Sequence, residues 1–179
     1  ARVGSLGRNV TEQVSLPAVL QQVQRRFLPV AERSGLFLRL SLECDLQIRT
    51  DRHKVERIVG NLIDNAIKYT PRGGVTIALV KAADDGAAAI EIRDTGIGVP
   101  RDKADSLFDE FYQVGNDERD RRKGFGLGLA ICRALARQIG GDVQLVSTGH
   151  EGSSFALTLP VRADQPDGTT AAAAADLPA

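Results

Sequence analysis

The sequence lacks three features that would point to common functional classes. Its 23 lysine and arginine residues balance 23 aspartate and glutamate residues, so the zero net charge argues against a general nucleic-acid or polyanion binder. It has only two cysteines, Cys44 and Cys132, which form no CxxC pair, so we expect free thiols in a reducing compartment. No run of about 18 apolar residues occurs, and no signal peptide is recognised, so no segment is predicted to cross a membrane.

The 179 residues, 42% of them hydrophobic, are enough for one domain with a substantial core. Cys132 lies in an apolar helical stretch, where we expect core packing rather than chemistry. The folded domain is expected to span residues 14–161, between a flexible segment, 1–13, and a disordered tail, 162–179, rich in Ala, Asp, Pro and Gly.

Periodicity predicts an α+β fold. The predicted helices are residues 18–34, 52–69 and 127–139, and the predicted strands are 14–16, 36–42, 46–49, 75–81, 88–93, 142–146 and 154–159. Asp51 is a plausible N-cap of the second helix, and Pro29 is expected to kink or end the first. Because paired strands are mixed with helices, we expect a mixed sheet with helices on one face rather than a doubly wound fold.

Three polar residues share one face of the second predicted helix. At about 100° per residue, Asn61, Asn65 and Lys68 fall within an arc of ~60°. This face is either an ordinary solvated surface or a magnesium–triphosphate site. In the second case an asparagine oxygen is a hard ligand suited to Mg²⁺, and a lysine one turn away neutralises phosphate charge.

Asp94 ends an apolar strand and is followed by glycines at positions 96 and 98. The segment is either a plain turn or an adenine pocket. A carboxylate at a strand end can accept a hydrogen bond from an exocyclic amine, and glycines let the backbone approach a flat base closely.

A charged segment, residues 116–123, runs directly into the glycine-rich start of the third predicted helix, residues 124–129. The charges are either a solvated face or part of an anion site, because backbone N–H groups at a helix N-terminus bind phosphate. The sequence contains no GxxxxGK[ST] P-loop, and GxGxG after a charged loop is not a dinucleotide fingerprint.

In order and spacing, these segments resemble the nucleotide-binding boxes of bacterial histidine kinases. NLIDNAIKYTP, DTGIGVP, LFDEFYQV and GFGLGLAI look like the N, G1, F and G2 boxes, and GSSF at 152–155 resembles the terminal glycine-containing box. The resemblance covers about residues 14–160. It implies a two-layer α/β sandwich of the GHKL (Bergerat) type that binds ATP and Mg²⁺ beneath a lid, as the ATP-binding catalytic domain of a sensor histidine kinase.

The resemblance also implies roles for individual residues. Asn65 would bind Mg²⁺, Asp94 would read the adenine amine, the backbone of 124–129 would hold the phosphates, and 119–123 would form the lid. The complete set of predicted nucleotide-binding residues is Asn61, Asn65, Lys68, Tyr69, Asp94, Gly96, Ile97, Gly98, Arg122, Lys123, Gly124, Phe125, Gly126, Leu127, Gly128 and Leu129.

The sequence departs from the family pattern in two places. Gln113 stands where many members carry an arginine, which puts phosphate contact from that position in doubt. No histidine has the context of a phosphoacceptor: His53 lies on the second predicted helix and His150 in a turn. We therefore assign no catalytic residue.

The missing acceptor histidine implies partners outside this chain. The resemblance predicts a phosphoacceptor domain of the same kinase and, through it, a response regulator. We expect a monomeric cytoplasmic fragment of a homodimeric parent, with no contact to nucleic acid or membrane and any membrane anchor elsewhere in the parent.

Three alternatives remain at this stage. An anti-sigma serine kinase would share the N and G1 boxes, although segments 107–112 and 124–129 favour a histidine kinase. An ATPase of gyrase or chaperone type would need a catalytic glutamate on the N-box helix, where only Glu56 occurs, five residues before Asn61. A nucleotide-sensing module without turnover is the third.

Overall fold

A computed structural model describes residues 8–82, 86–109 and 128–161, which form strands and helices on either side of a single core. The strands are β1 (Glu12–Ser15), β2 (Phe37–Leu42), β3 (Gln47–Thr50), β4 (Gly74–Lys81), β5 (Ala87–Asp94), β6 (Asp142–Gly149) and β7 (Gly152–Pro160). The helices are α1 (Leu16–Arg33), α2 (Arg52–Lys68) and α3 (Gly128–Gln138), with a short 3-10 helix at Arg101–Ser106. Residues 83–85, between β4 and β5, lie outside the described residues.

The main sheet has five strands in the order β2-β4-β5-β7-β6. Strands β2 and β4 are parallel, and the other three pairs are antiparallel, so the predicted mixed sheet is confirmed. Strands β1 and β3 form a separate antiparallel pair beside it.

One face of the main sheet is covered by all three helices. Ile77 lies opposite Ile92, and Ile90 lies opposite Leu157; all four are fully buried in the core that the helices share. The alternate positions of the strands, such as Thr76, point to the other face. The two-layer arrangement with helices on one face is therefore confirmed.

Helix α2 forms where it is predicted because its local signals agree. Asp51 caps the helix, with its Oδ1 accepting a hydrogen bond from the backbone N–H of Lys54 at 3.1 Å. An apolar stripe that includes Val55, Ile58 and Leu62 is buried. Burial of that stripe fixes the rotation of α2, and therefore the direction in which its polar residues point.

Pro29 does not end α1, which continues to Arg33. An interior proline removes one backbone hydrogen bond. Tertiary packing holds the last turn nevertheless, because Val30 packs on the core and Ala31 is fully buried. The N–H of Ser34 also donates to the carbonyl oxygens of Val30 and Ala31. None of the helices in the described part of the chain is long and apolar enough to cross a membrane.

Strand β6 runs to Gly149, three residues beyond its expected end, and contains an irregularity. Its register with β7 shifts between Leu145 and Ser147. Such a bulge inserts an extra residue, here Val146, and changes which side chains face each side of the sheet. The shift brings Thr148 opposite Ser153.

Candidate functional site

The C-terminal end of α2 meets the loop that follows β5, residues 94–99. The backbone N–H of Ile97 donates to the carbonyl oxygen of Tyr69 at 3.3 Å. A Cβ on Gly96 would collide with that same carbonyl and would lie 2.8 Å from Asp94 Oδ1. Position 96 therefore requires glycine because atoms of the chain itself lie close to it, and the structure brings the N-box helix and the 94–99 loop together. The expected approach of a base to this glycine stays a prediction.

In the described part of the chain, Asp94 is held through only one of its two carboxylate oxygens. Oδ1 accepts hydrogen bonds from the backbone N–H of Gly96 at 2.8 Å and of Ser153 at 3.2 Å. Among the described residues, Oδ2 accepts none. Burial raises the pKa of Asp94, although the two backbone hydrogen bonds act to lower it. The result is a fixed, partly desolvated carboxylate with one open acceptor, which suits recognition of an N–H donor.

The rest of the 94–99 loop is tied to the neighbouring strands. Thr95 Oγ1 accepts from the N–H of Gly74 and donates to the carbonyl of Arg72, both at 3.0 Å, which joins the loop to the start of β4. Gly98 adopts φ +73°, and a Cβ there would collide with the carbonyl of Gly149. Position 98 therefore also requires glycine, for a reason within the fold itself.

Two residues that contact this loop were missed by sequence reasoning. Ser153 belongs to the segment that resembles the terminal glycine-containing box, but its N–H bond to Asp94 could not be read from that pattern. Thr148 Oγ1 accepts from the N–H of Val99 at 2.6 Å and donates to the carbonyl of Val99 at 3.0 Å. No sequence signal marks Thr148, because the bulge in β6 decides where it points.

Asn65 faces the beginning of α3. Its Nδ2 lies 3.7 Å from the position that a Cβ on Gly128 would occupy. Gly128 is the first residue of α3, and Leu129 packs partly buried against the core. Two segments 63 positions apart in sequence, the N box and the end of the G2 box, are thus adjacent in space.

The remaining predicted residues on α2 and in the loop differ in exposure. Lys68 is partly exposed, with its Nζ 2.8 Å from Asp64 Oδ2. Tyr69 is 37% exposed and Ile97 is 62% exposed, in contrast to the fully buried apolar residues of the core. Ile97 therefore offers an accessible apolar side chain between the two glycines of the loop.

Asn61 points deeper than its place on the polar arc suggested. Its side chain lies within reach of the thiol of Cys132 on α3, and Cys132 Sγ lies 3.7 Å from the carbonyl oxygen of Ile58. Burial raises the pKa of Cys132 to about 12. The expectation that Cys132 packs in the core is confirmed, and Asn61 helps to join α2 to α3.

Part of the predicted site lies outside the described residues. This applies to Gln113, to the proposed lid at 119–123, and to the six residues Arg122, Lys123, Gly124, Phe125, Gly126 and Leu127. Within the described ranges, no group of three or more His, Cys, Asp and Glu side chains could hold a metal ion. A magnesium ion at this site would depend on the Asn65 amide oxygen, water and phosphate oxygens, a donor set that Mg²⁺ accepts.

Residues 50–163 match the family of histidine kinase-, DNA gyrase B- and HSP90-like ATPases. The chain belongs to this family. It is 31% identical over 157 residues to the sensor histidine kinase WalK of Bacillus subtilis, a match covering 87% of this chain and 26% of WalK. It is 35% identical over 145 residues to the sensor histidine kinase RcsC of Escherichia coli, covering 80% of this chain and 15% of RcsC. The chain thus spans about a quarter or less of these relatives.

Solved structures agree with this assignment. Full-length ShkA in complex with AMPPNP superimposes with a TM-score of 0.77 at 29% identity, over 87% of this chain and 32% of that one. A mycobacterial sensor histidine kinase, MprB, superimposes with a TM-score of 0.70 at 27% identity, over 86% of this chain and 99% of that one. The fold and the resemblance to the ATP-binding domain of histidine kinases are confirmed.

Proposed function

We propose that this family member binds Mg-ATP as the catalytic domain of a sensor histidine kinase and transfers the γ-phosphoryl group to a histidine on a separate phosphoacceptor domain. The observation that carries the proposal is Asp94, whose Oδ1 is held by two backbone N–H groups and whose Oδ2 accepts no bond from the described residues. The names of WalK, RcsC and MprB as sensor histidine kinases support the same assignment.

Adenine would bind against the 94–99 loop. Asp94 Oδ2 would accept a hydrogen bond from the exocyclic amine, and the lack of a side chain at Gly96 would let the base approach the backbone. The exposed side chain of Ile97 would cover one face of the base, and Tyr69, at the end of α2, would line the nucleoside. Guanine presents a carbonyl where adenine presents an amine, which would leave the Asp94 carboxylate facing a second acceptor.

The phosphates would lie between α2 and the start of α3. Asn65, whose side chain lies beside Gly128, would offer its amide oxygen to Mg²⁺, which would neutralise phosphate charge when bound. The N-terminal end of α3, which is described from Gly128 onward, would supply backbone N–H groups and the positive end of the helix dipole. Lys68 can exchange its exposed contact with Asp64 for a phosphate oxygen. These residues bind and orient the triphosphate, which is most of what phosphoryl transfer requires of a protein.

The attacking imidazole would come from the phosphoacceptor domain, from which the phosphoryl group would pass to a response regulator. In this arrangement the domain would work on the cytoplasmic side of a homodimeric parent. The position of Glu56 counts against an ATPase of gyrase type, because its Oε1 is bound to Arg52 Nε at 2.8 Å near the start of α2, away from Asn65.

Titration calorimetry with Mg-ATP and Mg-GTP tests the nucleotide assignment. We expect ATP to bind at least about tenfold more tightly, because an unmatched buried acceptor costs about 1–3 kcal/mol. ADP and GDP should show the same order. Equal affinities for the adenine and guanine nucleotides would contradict the assignment of Asp94.

A further inference from the structure

The geometry points to Thr148 as a positioning residue that sets nucleotide affinity by fixing the 94–99 loop, without touching the nucleotide itself. Its hydroxyl binds both backbone groups of Val99, the last residue of that loop. This inference rests on the proposed function, since it assigns the loop to adenine binding.

The hydroxyl of Thr148 uses its complete hydrogen-bonding capacity in this position. A threonine hydroxyl has one donor hydrogen and two acceptor positions. The hydrogen is donated to the carbonyl of Val99, one lone pair accepts the N–H of Val99, and the Ser153 hydroxyl, 3.5 Å away, can donate to the other. A single side chain thus binds both backbone groups of Val99, which has no strand partner among the described residues.

The bulge in β6 is what brings Thr148 to this position. Strict alternation would place Ser147, not Thr148, on the same face of the sheet as Leu145. The register shift between Leu145 and Ser147 pairs Thr148 with Ser153 instead. Bulges next to functional sites commonly redirect a side chain in this way.

The hairpin of β6 and β7 therefore anchors the loop at both ends. At the first end, the N–H of Ser153 bonds to Asp94 Oδ1. At the other end Thr148 holds Val99, and the carbonyl of Gly149 lies against Gly98. Ile97, 62% exposed, sits between these anchors. Releasing Val99 would leave more loop freedom to be lost when a nucleotide binds, so affinity should fall even though no ligand contact is removed.

The test compares Thr148→Val, which keeps the shape and removes the hydroxyl, with Thr148→Ser, which keeps the hydroxyl. Thr76→Val is the matched control, because Thr76 lies on β4 opposite Arg93 and faces away from the helices. With Mg-ADP and calorimetry, we expect T148V to bind about tenfold more weakly, and T148S and T76V to stay within about threefold of wild type. Thr148→Ala should repeat the loss if valine disturbs folding.

Hydrogen exchange without nucleotide provides a second readout. The Val99 amide should exchange faster in T148V and T148A than in wild type and T148S. Unchanged ADP affinity in a folded T148V or T148A, or an equal loss in T148S, would overturn the role of the hydroxyl. If wild type itself binds no adenine nucleotide, the proposed function fails, whereas the exchange of the Val99 amide still reports whether Thr148 fixes the loop.

Discussion

Asp94 shows what a residue pattern can and cannot predict. A carboxylate after an apolar strand, followed by alternate glycines, left a plain turn and an adenine pocket as alternatives, and only the resemblance to histidine kinases implied the adenine role. The pattern could not show that Oδ1 would be taken by Gly96 and Ser153, because Ser153 lies 59 positions away. Because both of these backbone bonds go to Oδ1, Oδ2 accepts no bond from the described residues and can accept one from a ligand.

The first prediction concerns Asp94→Asn. The asparagine oxygen can accept the same two backbone N–H bonds, so the loop should keep its structure. Its amide nitrogen would then face the adenine amine, donor against donor, and Mg-ADP affinity should fall at least about tenfold. Calorimetry measures the loss, and circular dichroism checks the fold. Asp45→Asn, at the far end of the sheet, should bind ADP normally.

Asp94→Asn should also change how the stability of the folded state depends on pH. Burial, as the largest cause, raises the pKa of Asp94, so the folded state favours the protonated carboxyl. Its stabilising contribution is present below the unfolded pKa of ~3.9 and is lost as pH rises through the higher folded value. Without nucleotide, D94N should therefore gain stability relative to wild type as pH rises from about 3.9. If the melting temperature of D94N minus that of wild type fell over this range, the burial argument would be contradicted.

The second prediction concerns Asn65, which lies beside the start of α3 and outside the buried stripe of α2. Asn65→Ala should fold normally but lose the increase in ATP affinity that Mg²⁺ provides, because the amide oxygen is the expected protein ligand. Calorimetry with Mg²⁺ and with EDTA measures that increase. Gln21→Ala, a truncated amide on the exposed side of α1, is the matched control. A folded N65A with unchanged magnesium dependence would remove Asn65 from the metal site.

Among the elements, α2 and β6 show why some boundaries can be predicted and others cannot. Helix α2 was predicted to within one residue because its cap, its apolar stripe and the glycines after it agree. The predicted end of strand β6 came three residues too early, because the bulge after Leu145 ends the alternation on which a strand prediction relies. Local sequence left open whether α1 would end at Pro29, because the packing of Ala31, which holds the last turn, depends on the tertiary structure.

The third prediction concerns the cap of α2. Asp51 Oδ1 binds the N–H of Lys54 at 3.1 Å, and Oδ2 accepts the N–H of Val10 at 2.9 Å. Asp51→Ala removes both contacts and should lower the free energy of unfolding by about 1–2 kcal/mol in urea denaturation. Asp51→Ser keeps a capping oxygen but not the contact with Val10, so its free energy of unfolding should lie between those of D51A and wild type. Equal loss in both variants would mean that the cap itself contributes little.

The pH dependence of Asp51 has the opposite sign to that of Asp94. Burial acts to raise the pKa of Asp51, but the backbone hydrogen bonds from Val10 and Lys54, with the charge of Lys54, together lower it. The contribution of Asp51 to stability is therefore present above the unfolded pKa of ~3.9, and it is lost as pH falls through the lower pKa of the folded state. The difference between wild type and D51A should shrink in that acidic range.

At the scale of the whole molecule, the candidate nucleotide site lies at one end of the main sheet. Strand β5 ends at Asp94, α2 ends at Lys68 and α3 begins at Gly128, so three chain segments meet there. The order of the boxes along the sequence was enough to predict the family and the two-layer fold. It could not show which boxes touch, because that follows from helix packing and from the register of the hairpin of β6 and β7.

The last prediction concerns the acceptor histidine. Phosphoryl transfer needs the nucleophile within about 3–3.5 Å of the phosphorus. His53 is exposed at the start of α2, about 18 Å along the helix axis from Asn65 at 1.5 Å per residue. His150 lies in the turn after Gly149, whose carbonyl packs against Gly98 at the proposed adenine end of the site, not the phosphate end. The chain should therefore bind ATP yet fail to label itself.

Radiolabelled ATP distinguishes the outcomes. The chain alone should stay unlabelled, and adding the phosphoacceptor domain of its parent should give acid-labile, base-stable label on that partner, as phosphohistidine requires. N65A, which lacks the proposed magnesium ligand, is the control that should transfer little. Strong label on the lone chain that disappears in His53→Gln or His150→Gln would refute the separate-domain arrangement. Label on a partner's serine would instead identify an anti-sigma type of kinase, because the acceptor residue, more than the nucleotide site, separates these two relatives.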